Sequence, residues 1–170
     1  LRVYGELKAS ASPAEKTVGF TWSDPAVGAL IQDRSVNAAI VGSGYFPAGA
    51  EAVLPGRTGT SVGHALYLIN LSTGKLLGNA GGAGCAGPGC YDVGDGAASM
   101  KNALQADPTV TGDAGSHVAK WGYIGDLDGR YYRFAFNSAG TISAPQVMKS
   151  TNEPIYASSA LMYIGTVDRY

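Results

Sequence analysis

Few residues in this sequence are of types that do chemistry, and each sits in a short glycine-marked stretch. Cys85 and Cys90 bracket Ala86-Gly87-Pro88-Gly89. Gly and Pro turn a chain sharply enough to bring two sulfurs within bonding range, so a small disulfide loop is expected; the alternative is a pair of free thiols. A bridge implies an oxidising compartment, periplasm or exterior. Haem attachment is excluded because Tyr91, not His, follows the second Cys. Gly59-Thr60-Ser61-Val62-Gly63 fits the hydrolase nucleophile pattern, but that chemistry needs a helix behind the Ser, and His64 and a strand-like run follow instead. Gly82-Ala83-Gly84-Cys85-Ala86-Gly87 fits the dinucleotide fingerprint, yet Pro88-Gly89 rules out the helix whose N-terminus would face the pyrophosphate. His64 and His117 lie far apart, and neither has a second ligand at helical spacing. Asn70-Leu71-Ser72 fits a glycosylation sequon and reads better as a turn. In Gly125-Asp126-Leu127-Asp128-Gly129 the carboxylates are expected to accept backbone N–H bonds while the glycines take conformations that other residues resist.

The scaffold for these residues follows from composition. The 170 residues include 25 Gly and 10 Tyr, with only 15% charged, which suits many short strands joined by tight turns better than helices with charged outer faces. An all-β fold is expected, as one domain or part of one. The net charge of -1, with both signs mixed along the chain, excludes the footprint of a nucleic-acid or polybasic membrane binder. No window approaches the roughly 18 apolar residues of a membrane span. Leu1 in place of an initiator Met reads as a processed or truncated start.

Strands are expected at Leu1 to Lys8, Ala26 to Ile31, Val36 to Val41, and Ala65 to Leu71, the last turning at Ser72-Thr73-Gly74-Lys75 into Leu76-Leu77-Gly78. Phe46 to Gly63 and Asn79 to Gly96 read as loops, and Ala97 to Ala106 as a short helix stopped by Asp107-Pro108. Val118 to Ile124 and Arg130 to Phe136 form a hairpin, followed by strands at Thr141 to Met148 and from Pro154 to Ile164. Tyr123-Ile124-Gly125-Asp126-Leu127-Asp128 is echoed by Tyr163-Ile164-Gly165-Thr166-Val167-Asp168, a step of about 40 residues that falls among propeller-blade spacings.

Several phrases resemble the C-terminal propeller of the type IV pilus-tip adhesin and biogenesis family, often called PilY-type proteins. They are Thr21-Trp22-Ser23-Asp24-Pro25 with Ala39-Ile40-Val41-Gly42-Ser43-Gly44-Tyr45, the Ala65 to Leu77 hairpin, and Trp121 to Gly129 running into Tyr132-Arg133-Phe134. Tyr132 stands where the family's hairpin has Trp, and Pro154 to Leu161 resembles the opening of a following blade. The resemblance implies a partial β-propeller of about two four-stranded blades plus flanking strands, a fragment of a larger ring with the rest of its own propeller as a partner. It also implies a non-catalytic surface module at the pilus tip or outer membrane, exported through the periplasm. Its work would be pilus biogenesis, twitching motility or adhesion, with pilus minor subunits or a surface receptor as partners. Family members often carry a calcium loop before this hairpin. Here residues 111–120 hold one carboxylate, Asp113, and Lys120 stands where the last ligand is expected, so calcium would have to be held by Asp113 with Asp107 or Asp126. No other cofactor is expected. Two alternatives stay open: a fragment of a quinone-dependent (PQQ) dehydrogenase, whose superfamily shares the Thr73-Gly74-Lys75 hairpin, and a structural propeller repeat of another exported protein.

Overall fold

Apolar stretches of four to six residues, too short for stable helices, find their hydrogen-bond partners in neighbouring strands. The computed structural model describes residues 19–30, 36–45, 65–74, 77, 90–92, 104–112, 118–136, 142 and 145–161. The first sheet contains β1 (Ala26–Ala29), β2 (Asn37–Gly42), β3 (Ala65–Asn70) and β4 (Cys90–Asp92). The second contains β5 (Thr109–Thr111), β6 (Trp121–Gly125), β7 (Arg130–Ala135) and β8 (Gln146–Ser150). Each sheet is an antiparallel meander in chain order, and no helix occurs among the described residues. The protein is therefore all-β, with two four-stranded sheets arranged like consecutive propeller blades.

Alternation along the strands sorts each sheet into two faces. In the first sheet Gly28, Ala38, Ile40, Gly42, Leu66 and Leu68 share the face that meets the second sheet. Ile40, Leu66 and Leu68 join Ile124, Tyr132 and Phe134 in one buried cluster, and burying each large apolar side chain contributes about 1.5–3 kcal/mol. β1 and the segment leading into β6 fix the stacking, Ala29 forming a bridge with Val118. The Ala119 N–H donates to the Ala29 carbonyl at 2.7 Å, and a Cβ built on Gly28 would lie 3.2 Å from the Ala119 Cβ.

The two sheets repeat each other closely. Adding 83 to both members of the pair Ala26↔Ile40 gives Thr109↔Tyr123, and the same shift carries Val27↔Ala39 to Val110↔Gly122. Val41↔Tyr67 and Ala39↔Ile69 correspond in register to Ile124↔Tyr132 and Gly122↔Phe134, the second-strand residues again moving by 83 and the third-strand residues, after a shorter connection, by 65. The buried polar residues Ser43 and Asp126 obey the shift too, each following the last glycine of its sheet's second strand.

Several expectations need correction. The described end of the expected helix, Leu104 to Ala106, is not helical, because Leu104 bridges Gly44 and is buried in the core. Cys90–Asp92, expected within a loop, is a strand, and Thr109–Thr111, for which no element is expected, is another. Residues 154–161 form no strand; they cross the second sheet, where the Ile155 N–H donates to the Asp126 carbonyl at 3.0 Å and Ile155 covers Gly125. The β3 hairpin does turn back, since the Leu77 N–H donates to the Leu68 carbonyl at 2.7 Å, but Cys90 then takes the place opposite Tyr67. The expected strand at 1–8, the loop at 46–63 and the echo at 163–168 lie outside the described residues.

Candidate functional site

The β6–β7 turn gathers the chemistry that the sequence singled out. Gly129, at φ +80°, adopts a backbone that other residues resist, which lets the chain reverse within Asp126 to Arg130. The Asp126 side chain closes that turn. Its Oδ1 accepts the backbone N–H of Asp128 at 3.0 Å and of Arg130 at 2.8 Å, and its Oδ2 accepts the Tyr132 hydroxyl at 2.8 Å. Asp126 is fully buried, so both oxygens are satisfied internally and out of reach of a substrate. Asp128 is exposed and lies 3.9 Å from Arg130, a surface pair that contributes little.

Burial, followed by the hydrogen bond to Asp126, pushes the Tyr132 phenol well above its ordinary value. Burial, followed by Tyr123, pushes Tyr131 up to about 12. Tyr131 stacks on Tyr123 with centroids 6.1 Å apart and hydrogen-bonds the Ser159 hydroxyl. The fold holds both phenols protonated. Their contribution to stability is therefore complete below the ordinary phenol value of 10.0; that of Tyr131 is lost as pH rises through about 12, and that of Tyr132 at higher pH still. In a phenolate absorbance titration two tyrosines should resist ionisation until the protein unfolds. Release of every tyrosine near pH 10.0 with the fold intact would contradict this.

The remaining expected residues are spread apart. Asp107 uses its Oδ1 to accept the Asp24 backbone N–H at 2.7 Å, linking the starts of β1 and β5. Asp113 lies outside the described residues, as do His64, His117, Ser61 and Cys85, so neither the three carboxylates nor the cysteine pair is seen together. Cys90 begins β4. Among the described residues no group of three His, Cys, Asp or Glu side chains is placed to hold a metal ion. The described part of the calcium set is engaged with N–H and O–H donors, which carry positive charge where a cation would sit. Asn70 behaves as a turn residue, its Oδ1 accepting the N–H groups of Ser72 at 2.8 Å and Thr73 at 3.1 Å.

Two further arrangements join residues that are distant in sequence. The Arg133 guanidinium lies 4.7 Å from the centre of the Trp121 ring, donates to Gln146 Oε1 at 2.7 Å, and has a buried Nε without a hydrogen-bond partner. The alternation Trp121, Tyr123 and Tyr131, Arg133 was its only signal, since these residues share one face of the hairpin. A polar cleft of about 460 Å³ also opens between the β6–β7 turn and the chain leaving β8, walled by Asp128, Arg130, Ser150, Thr151 and Asn152. Sequence gave no sign of it, because its walls come from separate strand ends.

No protein-family model matches this chain, and no curated protein matches it in sequence. Among solved structures, it is similar to the crystal structure of the Pseudomonas aeruginosa PilY1 C-terminal domain, with a TM-score of 0.56 and 20% identity over 88% of this chain. The chain spans 30% of the length of that structure. At this identity the likeness concerns the fold, and it places two stacked four-stranded sheets in the architecture of that domain.

Proposed function

We propose that this chain is a non-catalytic surface module of a type IV pilus-associated protein, exported through the periplasm to the cell surface or pilus and acting by contact with pilus subunits or a surface receptor. The observation that carries the reading is the conjunction of a PilY1-like fold with a hairpin phrase, Trp121 to Phe134, whose one buried carboxylate is wholly engaged in closing its turn. The described aromatic side chains offered to solvent support contact as the mode of action. Trp22 is 71% exposed and Tyr156 62%, and aromatic residues of this kind anchor protein interfaces.

Deleting residues 19–161 from the gene in the bacterium that encodes it should abolish or sharply reduce surface piliation and twitching. Unchanged piliation, twitching and surface attachment would contradict the proposal. Dye reduction by the purified protein with added quinone cofactor would favour the dehydrogenase reading instead. Trp22→Ala should weaken surface attachment while moving Tm by no more than about 2 °C, because the exposed ring contributes little to the core. Attachment at the unaltered level would remove Trp22 from the contact surface.

A further inference from the structure

The polar cleft of about 460 Å³ beside the β6–β7 turn is held open by bonds that no ligand supplies. The Thr151 N–H donates to the Gly129 carbonyl at 2.7 Å, and the Thr151 hydroxyl is shared between the Gly129 and Glu153 carbonyls at 3.1 and 3.0 Å. A Cβ at Gly129 would overlap the carbonyl oxygens of Thr151 and Glu153, so glycine is what lets the two walls approach. The opposite wall is fixed from beneath, where Asp126 Oδ1 accepts the Asp128 and Arg130 N–H groups. A cleft preformed in this way orders little on binding, and its volume lies within the range of about 300–1,000 Å³ common to small-ligand sites.

Its chemistry narrows the occupant. The walls are mostly polar, which disfavours an apolar molecule. Asp128 and Arg130 carry opposite charges on the same wall, so the cleft as a whole selects neither an anion nor a cation. At 3.9 Å the two leave most of each other's hydrogen-bonding capacity unused. On the facing wall the Ser150 and Asn152 side chains are exposed, and among the described residues no hydrogen-bond partner engages either. The set therefore combines a carboxylate that only accepts, a guanidinium that only donates, and a hydroxyl and a carboxamide that do both. Neighbouring hydroxyl groups on one small ring, each donating and accepting, match that mixture. Leu127 and Pro154 add a little apolar surface, which suits the C–H face of such a ring.

We infer that this cleft binds the terminal sugar unit of an uncharged glycan, with Asp128 and Arg130 on one side of the ring and Ser150 and Asn152 on the other. The inference names a receptor chemistry for the contact module proposed above and rests on that reading for its biological setting. Binding is measured on purified protein, so it can fail while the piliation result stands, and the reverse.

The test is saturation-transfer NMR on the full-length protein with methyl glycosides of glucose, galactose, mannose and N-acetylglucosamine. N-acetylneuraminic acid and glucosamine serve as an anionic and a cationic sugar. Transfer to at least one neutral glycoside is expected. It should fall at least about fivefold in Asp128→Ala and in Asn152→Ala, each of which removes a hydrogen bond to the ring. Both side chains are exposed, so Tm should stay within about 2 °C of the parent. Ser72→Ala, in the exposed β3 turn, should leave the transfer unchanged. Absence of transfer to every neutral glycoside, or undiminished transfer in either cleft variant, would overturn the site. Stronger transfer to either charged sugar would overturn the uncharged class.

Discussion

Asp126→Ala should lower the unfolding free energy by about 3–5 kcal/mol, because it strands the buried Tyr132 hydroxyl and two part-buried backbone donors at once. The Asp128 N–H, the Arg130 N–H and the Tyr132 hydroxyl all point at this carboxylate. For a chain of this size that corresponds to a fall in Tm of roughly 10 °C. Asp126→Asn separates hydrogen bonding from charge. Its Oδ1 still accepts both backbone donors, and its amide donates to a Tyr132 hydroxyl that turns to accept, so the loss should be less than half that of the Ala variant. Thermal unfolding of the two variants checks this; equal losses would mean that the charge, not the hydrogen-bond geometry, holds the turn.

Gly42→Ala should cost about 3 kcal/mol and act on the contact between the sheets. A Cβ at this position would overlap the Leu104 carbonyl oxygen and crowd the Ile124 Cδ1 at 3.2 Å. The side chain of Ile124 can shift, but the Leu104 carbonyl is backbone and accepts the Gly44 N–H at 3.0 Å. Relieving the overlap therefore breaks a hydrogen bond as well as separating Leu104 from the core. Denaturant unfolding should show the lost stability, and a variant as stable as the parent would mean that the connection to β5 does not lie on this face.

Long apolar runs and polar turns made the central hairpins readable. Ala65 to Leu71 alternates around a hydrophobic run and ends in a glycine turn, and β3 occupies Ala65–Asn70; β6 and β7 likewise fall within the two runs flanking the Asp126 turn. The capping role of Asp126 follows from the same local chemistry. What sequence hid is nonlocal. Thr109–Thr111 is too short to show a period, and it exists as a strand because Tyr123, Gly122 and Trp121 supply its ladder. Cys90–Asp92 sits in a Gly and Ala run and becomes a strand through Tyr67, Leu66 and Ala65. Pro154 to Leu161 has strand-like composition, yet Ile155 fills the space above Gly125, and Ser159 exchanges hydrogen bonds with Thr109 at 3.1 and 3.2 Å, holding the segment across the sheet. The repeat has no single period in the sequence because unequal connections separate matching strands: residues 43–64 join β2 to β3, whereas Asp126 to Gly129 join β6 to β7.

Consecutive stacking of two four-stranded sheets is the claim on which the rest depends, and a cross-sheet disulfide tests it most directly. A Cβ on Gly28 would lie 3.2 Å from the Ala119 Cβ, near the separation that a disulfide spans. The double variant Gly28→Cys with Ala119→Cys should oxidise in air to a single species whose mapped peptides join residues 28 and 119, with a raised Tm. Two thiols that stay separately reactive in the folded, oxidised protein would show that the sheets do not stack through β1 and the segment leading into β6.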